Sequence, residues 1–313
     1  MSSQKNKLTL VDKAKKYKTL IPFVIPAVLF ALVFSYLPMT GILIAFKDHP
    51  NFIRYDVFEA FAKSDWTLEN FERLFSDPDI LKYIKNTLII SVMKIVILFP
   101  LPVVLAVMIT ELKSKRFSKL VQGLVFLPHF FSWVVIVGIF NNIFGMYGPI
   151  NNIGTALGMD PVHFMGEPSW FRWLVVILSG WKEIGYSSIA YIAAIMSIDP
   201  ALYEAAKIDG ASKLKQIWNI TIPSIMPTII VMLIIRIGYL MDAGFEQVYA
   251  MLNPNTLETG EIIGTYVYRL GFLAGSTDYG LSTAVGLFNG IISLLLILGA
   301  NYVSKKKTGN GVW

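Results

Sequence analysis

Cysteine is missing from the 313-residue sequence, and charged residues and histidines are scarce. The lack of cysteine excludes disulfide bonds, thiolate metal sites and cysteine nucleophiles. Only 15% of the residues are charged, whereas soluble domains average about a quarter. The three histidines are isolated from one another along the chain. The sequence therefore contains no disulfide framework and no pattern typical of a metal site.

A phosphate-binding loop is also missing, because the sequence contains no Gly-Lys pair. The G-x-x-x-x-G-K-[ST] motif needs that lysine next to its last glycine to bind the phosphates of ATP. The chain therefore cannot hydrolyse ATP by this route, and any use of ATP requires a separate ATPase. No stripe of arginine and lysine interleaved with aromatic residues is present either, so the sequence does not indicate nucleic-acid binding.

Hydrophobic residues make up 55% of the chain and are concentrated in long runs. A helix needs roughly 20 mostly apolar residues to cross about 30 Å of hydrocarbon. Six segments meet this requirement, so the sequence predicts an all-α polytopic membrane protein with about six transmembrane helices. The predicted spans are 20–46, 88–110, 120–140, 170–196, 222–240 and 283–303. The first run is too long for the apolar region of a signal peptide and is interpreted as a retained span.

Lysine and arginine are distributed unequally between the predicted loops. With the N-terminus inside the cell, sixteen of these residues fall in the inside segments and seven in the outside segments. Basic residues mark the cytoplasmic side, so we expect a plasma-membrane protein with both termini in the cytoplasm. The predicted organisation is a cytoplasmic segment 1–19, one transmembrane domain 20–303 with an outer loop 47–87 and a cytoplasmic loop 197–221, and a cytoplasmic tail 304–313.

The predicted cytoplasmic loop 197–221 contains the signals of two short helices. Asp199 is a good N-cap and Pro200 suits the first helical position. Gly210 is expected to end this helix, because the left-handed conformation that follows many helices is most easily adopted by glycine. Ser212 is placed to cap a second short helix. The sequence therefore predicts two helices joined by a sharp turn.

The first of these helices has a surface suited to contact with another protein. Ala205 and Ala206 are small and permit close approach, and Glu204 beside them adds a charge that can pair with a basic partner group. Together with Gly210, these residues begin a pattern that resembles the EAA motif of ABC-importer permeases, EAA-x3-G-x9-I-x-L-P. The pattern continues at Ile220, Ile222 and Pro223, and the only departure is Ile222 in place of leucine.

Further resemblance extends over nearly the whole chain. Segments that begin at Asn70, Val125, Tyr147 and Phe245 are similar to carbohydrate-importer permeases. The end of the first span resembles more narrowly the LplB-type polysaccharide permease subfamily. The residues that carry this narrower resemblance are Tyr36, Pro38, Met39, Gly41, Ala45, Phe46, Lys47 and Asp48.

The resemblance implies the type I ABC-importer permease fold and a transport subunit that is not itself an enzyme. It implies a heterodimer with a second permease subunit, two ATPase subunits and an extracellular solute-binding protein that delivers a sugar. The chain itself is expected to bind no cofactor, since the partner ATPase would use the ATP and magnesium. The residues implied in coupling to the ATPase are Glu204, Ala205, Ala206, Asp209, Gly210, Ile220 and Pro223.

Several ionisable residues fall within or at the end of predicted spans, where burial is costly without a partner. They are Lys94, Lys182, Glu183, Arg236 and Asp242. Two interpretations remain open: these groups pair between helices or with the partner permease, or they line the substrate path. Nearby aromatic residues favour the second interpretation for a sugar, although aromatic residues in membrane helices more often belong to cores or interfaces. The path candidates are Trp181, Glu183, Tyr186, Tyr239 and Asp242.

Three alternatives to an oligosaccharide permease remain. A permease of the same superfamily can carry another solute, such as a phosphate ester of glycerol or a peptide. A stand-alone carrier or channel is disfavoured because it needs no cytoplasmic docking loop. A membrane enzyme is disfavoured because the sequence has no paired catalytic motif.

Overall fold

The computed structural model describes residues 21–48, 50, 54–273, 278–309 and 311–312. The predicted N-terminal segment 1–19 lies outside these residues. Nearly all of the described chain is helical or turn, and an isolated antiparallel bridge joins Lys47 to Trp66. The predicted all-α architecture is therefore confirmed.

We number fourteen helices in the described part of the chain. They are α1 (Pro22–Phe46), α2 (Val57–Lys63), α3 (Glu69–Ser76), α4 (Ile80–Thr110), α5 (Lys115–Phe126), α6 (Trp133–Phe144), α7 (Pro149–Ala156), α8 (Pro168–Met196), α9 (Pro200–Ile208), α10 (Lys213–Gly238), α11 (Phe245–Met251), α12 (Leu257–Gly260), α13 (Ile263–Tyr268) and α14 (Tyr279–Thr308). Short 3₁₀ turns cover Leu127–Phe130, Phe164–Gly166 and Pro254–Thr256. Wider π-helical turns occur at Leu32–Tyr36 within α1, at Ile217–Thr221 within α10 and at Arg269–Leu273 after α13.

About six of these segments have the length and composition of membrane spans. Five qualify within the described residues, namely α1, α4, the stretch Trp133–Ala156, α10 and α14. A sixth is obtained when α8 is taken together with α9, to which it is joined by a bend of 69°. This count agrees with the six predicted spans.

Several span boundaries differ from the prediction. α4 begins at Ile80 instead of residue 88, so its first two turns precede the predicted span. The reason is that Lys82, Lys85 and Asn86 lower the hydropathy of the first turns although those turns are helical. The spans α10 and α14 likewise begin at Lys213 and Tyr279, before their apolar runs, and α14 continues to Thr308 in the predicted tail.

The prediction of one continuous third span over 120–140 is wrong, because the chain breaks there. α5 ends at Phe126 and is followed by the 3₁₀ turn, and α6 begins only at Trp133. Pro128 lies within the 3₁₀ turn and has no backbone N–H to continue a helical ladder. Ser132 then caps α6 by accepting a hydrogen bond from the backbone N–H of Val135 at 3.3 Å. Two half-helices therefore replace the predicted single helix.

Helix α8 is the central element of the bundle. Phe171, Leu174 and Leu178 are almost completely buried and form a core with Ile136 of α6, among others. Further along α8, a Cβ atom added at Gly185 would overlap the carbonyl oxygen of Val125 in α5. Glycine is thus required at this position because the two backbones approach too closely for a side chain.

Polar contacts join the helices at the end of the bundle opposite the loop between α8 and α10. Arg73 of α3 pairs with Asp278, the N-cap of α14, at 2.5 Å. The Tyr266 hydroxyl of α13 donates to the carboxylate of Asp77 at 2.5 Å. Burial, reinforced by this hydrogen bond, raises the pKa of Tyr266. These contacts hold α3 and α13 against the starts of α4 and α14.

Candidate functional site

An ion pair between α8 and α10 lies at the centre of the candidate site. The carboxylate of Glu183 and the guanidinium of Arg236 are 3.3 Å apart, and each side chain is about one third exposed, at 32% and 38%. A salt bridge in such a position is only partly desolvated, so both groups remain accessible to a ligand. The contact joins two of the predicted intramembrane charges.

The larger cavity beside this pair has a volume of about 490 Å³, within the ~300–1,000 Å³ range of small-molecule sites. Its polar and aromatic wall contains Glu183, Tyr186, Arg236 and Tyr239. An apolar wall is supplied by α4 at Leu98, Phe99 and Pro102. The cavity therefore combines an apolar surface with a few convergent polar groups, which is typical of a ligand site.

A second cavity, of about 280 Å³, lies against the same ion pair. It shares Glu183, Arg236 and Tyr239 with the larger cavity, and its remaining polar lining comes from Ser91, Lys94 and Asp242. The two cavities together bring four predicted path residues into one region. These four are Glu183, Tyr186, Tyr239 and Asp242, and their role in transport remains a prediction.

The fifth path candidate, Trp181, lines neither of these two cavities. Its ring contacts the ring of Phe140 in α6 edge to face, with 5.5 Å between the centroids, and the side chain is 43% exposed. Trp181 precedes Glu183 by two residues on α8, so helical geometry turns it to a different side of the helix. The structure thus separates Trp181 from the other four candidates.

A buried polar chain beside the smaller cavity joins α4, α8 and α11. The amide oxygen of Gln247 accepts hydrogen bonds from Lys94 Nζ at 2.8 Å and from Ser179 Oγ at 2.6 Å. Gln247 also donates to the carbonyl of Val175 at 2.7 Å, and Lys94 donates to the carbonyl of Ala243 at 2.9 Å. These contacts satisfy Gln247, which is fully buried, and fix the position of Lys94.

The predicted cytoplasmic loop contains two helices, α9 and the start of α10. The Asp199 side chain accepts from the backbone N–H of Ala201 at 2.9 Å, and Pro200 occupies the first turn. Gly210 has φ of 73° and therefore adopts the left-handed conformation. Ser212 caps the second helix, and its Oγ accepts a hydrogen bond from the backbone N–H of Lys215 at 3.5 Å. The predicted caps and the predicted glycine turn are confirmed.

The loop is attached to the bundle by two side-chain contacts. The hydroxyl of Tyr203 lies 2.9 Å from that of Thr221, which joins α9 to α10. Lys213 pairs with Glu111 at the end of α4 at 2.6 Å. Several apolar side chains around α9 are nevertheless exposed, among them Ile208 at 87%, Leu214 at 68% and Trp218 at 65%. Such a patch is typical of a protein-interaction surface.

The predicted coupling residues lie on or beside this patch. Glu204, Ala205, Asp209, Gly210 and Pro223 are exposed, and Ala206 and Ile220 are half-buried. They are accessible to a partner, although their part in coupling remains a prediction.

Comparison with known proteins decides the family. The model of the family described as the binding-protein-dependent transport system inner membrane component matches residues 99–308, which is more than half of the chain. The chain belongs to this family. It is therefore a multi-pass membrane permease, the transport subunit of an ABC importer. In this family ATP is hydrolysed by a separate subunit, and the permease works with a second permease and a solute-binding protein.

Similar curated proteins cover nearly the full length of this permease. Protein LplB of Bacillus subtilis is 39% identical over 96% of this chain and 92% of its own length. The polygalacturonan/rhamnogalacturonan transport system permease protein YteP of Bacillus subtilis is 40% identical over 97% of this chain and 93% of its own length. The resemblance to the carbohydrate permeases and to the LplB-type subfamily is confirmed.

A solved structure confirms the fold of this permease. A chain of the bacterial alginate ABC transporter, solved in complex with a periplasmic protein that holds an alginate pentasaccharide, superposes with a TM-score of 0.85. The two chains are 38% identical, and the match covers 97% of this permease and 99% of the solved chain. The permease therefore has the type I ABC-importer permease fold.

Sequence reasoning did not single out two polar residues of the site. Gln247 holds Lys94 across 153 positions of sequence, and Ser91 is one of the residues that line the smaller cavity. Lys94 itself was recognisable as an intramembrane charge. The only local signal for Ser91 was its place one turn before that lysine on the same helix, because residues three apart share a helix face.

Proposed function

We propose that this permease carries an oligosaccharide or a polysaccharide fragment into the cell through the two cavities beside Glu183 and Arg236. Two of the similar proteins are named for polysaccharides, namely polygalacturonan or rhamnogalacturonan and alginate. The observation that carries the proposal is the lining that the two cavities share. A carboxylate, a guanidinium and the phenol ring of Tyr239 converge at one place.

The chemistry of this lining suits a sugar. Sugar hydroxyls both donate and accept hydrogen bonds, so a carboxylate and a guanidinium side by side can satisfy them in pairs. A sugar ring has faces of C–H bonds, which pack against the negative face of an aromatic ring such as Tyr186 or Tyr239. A pathway of this kind binds its cargo loosely enough to release it, because no single strong contact dominates.

In the proposed mechanism, the loop of α9 and α10 transmits the energy of ATP. The helix α9 docks on the ATPase through the small face at Ala205 and Ala206, and Glu204 pairs with a basic group of that partner. Both chain termini and this loop lie in the cytoplasm, in agreement with the excess of basic residues on that side. The contact between Tyr203 of α9 and Thr221 of α10 would then help to pass a movement of the ATPase to Arg236 at the far end of α10.

The test is uptake by the complete importer, with the partner permease, the ATPases and the binding protein, reconstituted in liposomes. We expect ATP-dependent uptake of labelled tri- and pentasaccharides from pectin or alginate. A 100-fold excess of sn-glycerol 3-phosphate or of a tripeptide should not compete. Competition by either, or uptake of none of the saccharides, would contradict the proposed cargo.

A further inference from the structure

Two buried polar residues of α4, Ser91 and Lys94, lie side by side on the wall of the smaller cavity. They are three positions apart and thus occupy one face of the helix. Both are more than nine-tenths buried, with relative exposures of 4% and 6%. The route of a sugar past Glu183 and Arg236 does not explain why polar groups are buried at this point.

The ammonium group of Lys94 has spare hydrogen-bonding capacity. It carries three N–H donors, and in the described part of the chain it donates to two acceptors, the carbonyl of Ala243 and the amide oxygen of Gln247. Both acceptors are neutral. Gly244, which has φ of +85°, leaves the space beside the ammonium free, since a Cβ atom there would come within 2.7 Å of Lys94 Nζ.

No carboxylate of the described residues lies within ion-pair distance of Lys94. Glu183 and Asp242 line the same cavity, but Glu183 is paired with Arg236 and Asp242 is exposed. A buried ammonium whose direct hydrogen-bond partners are all neutral is unfavourable, because carboxylates beyond ion-pair distance offset only part of its desolvation. A ligand with a negative charge would supply the missing compensation.

The hydroxyl of Ser91 provides an independent observation. Its oxygen is buried and has no hydrogen-bond partner among the described residues, although a hydroxyl that is fixed in the interior normally has one. A buried polar group without a partner costs stability, so its presence on a cavity wall indicates that the partner comes from the cavity.

We propose that Ser91 and Lys94 form a subsite for the carboxylate of a uronic-acid residue. The proposal rests on the proposed saccharide cargo and narrows it to acidic saccharides. The hydroxyl and the ammonium donate to the two carboxylate oxygens, and hydrogen bonds with charged partners are the stronger kind. A neutral sugar at this place would leave the ammonium without a counter-charge, so the subsite discriminates against it.

The test compares an acidic saccharide with its neutral ester. Trigalacturonate and its fully methyl-esterified form are titrated calorimetrically into the purified complex of the two permeases and the ATPases, without the binding protein, so that the selectivity of the binding protein does not contribute. Wild type should bind the acid at least about tenfold more tightly than the ester. Lys94→Met should remove this preference, because it should weaken binding of the acid and leave binding of the ester unchanged. Lys94→Arg should retain it.

Ser91→Ala keeps the experiment decisive if Lys94→Met fails to assemble. It removes a hydroxyl that has no partner in the described chain, so the fold should be unaffected. The variant should weaken binding of the acid about threefold and change binding of the ester little. The matched control is Ser188→Ala, since Ser188 is also buried on a span but bonds to the carbonyl of Gly185 at 2.6 Å. It should leave the acid-to-ester ratio at the wild-type value.

Three outcomes would overturn the proposal in different ways. If Lys94→Met weakens binding of the acid and of the ester equally, Lys94 only supports the fold through Gln247. A wild type that binds both forms equally contradicts the subsite but leaves the saccharide cargo intact. A wild type that binds neither form, and for which the complete importer also takes up no saccharide, contradicts the cargo as well.

Discussion

The ammonium group of Lys182 in α8 donates a hydrogen bond to the carbonyl oxygen of His129 at the break in the third span, at a distance of 2.7 Å. The same group donates to the carbonyl of Phe131. These carbonyls lie past the end of α5, and no backbone N–H of the described residues bonds to them. Lys182 therefore replaces the missing helical hydrogen bonds and holds the two half-helices at a fixed place against α8.

The capping contact predicts that Lys182 stabilises the fold. Lys182→Met keeps the length of the side chain but leaves two carbonyls without a donor. Because hydrogen bonds from charged donors contribute ~1.5–3 kcal/mol each, we expect a loss of about 3 kcal/mol. The measurement is the midpoint of thermal unfolding of the purified importer, which should fall. Lys85→Met, at an exposed lysine of α4, is the control and should leave the midpoint unchanged. Equal midpoints for both variants would contradict the capping role.

The ion pair at the centre of the two cavities leads to a prediction about transport. Glu183→Gln removes the charge that holds Arg236 and replaces a carboxylate on the wall with an amide. We expect saccharide uptake to fall about tenfold, which corresponds to ~1.4 kcal/mol, while assembly and basal ATPase activity remain measurable. The exposed residue Glu167, before the first turn of α8, supplies the control Glu167→Gln. Unchanged uptake, or a complex that no longer assembles, would show that Glu183 is not a path residue.

The topology is tested by labelling, and the absence of native cysteine makes single introduced cysteines unambiguous. Lys213→Cys should resist an impermeant thiol reagent applied outside the cell, and Tyr147→Cys should react. Tyr147 is 95% exposed, whereas Asn151 nearby is buried and its amide donates to the carbonyls of Gly145 and Val162. The reverse labelling pattern would contradict the orientation inferred from the basic residues.

The sequence predicted the parts of the fold that depend on local patterns. The spans follow from apolar runs, and the ends of α9 follow from Asp199, Pro200 and Gly210, whose preferences act over a few residues. The break at Ser132 was missed because hydropathy over a window of about twenty residues averages across it. The partners of Lys182 and Lys94 were missed because they lie 51 to 53 and 149 to 153 positions away. Such contacts depend on how the helices pack, which local sequence does not encode.

The predicted cytoplasmic loop supports the last prediction, which concerns coupling to the ATPase. Gly210→Val places a β-branched residue at φ of 73°, which costs ~1–2 kcal/mol and should displace the turn between α9 and α10. Glu204→Lys reverses the charge of an exposed residue that is predicted to contact a basic group of the ATPase. Both variants should insert normally into the membrane, because Glu204 and Gly210 lie outside the long apolar helices α8 and α10.

We expect both variants to lose the co-purifying ATPase and to lose saccharide uptake. The matched control for the charge reversal is Glu258→Lys, at an exposed position of α12 near the opposite end of the bundle, which should retain the ATPase. Loss of uptake with the ATPase still bound would show that the variant docks normally but does not transmit movement through α10. Normal uptake with the ATPase retained in both variants would contradict the docking assignment. The exposed apolar side chains Ile208, Leu214 and Trp218 would then need another partner.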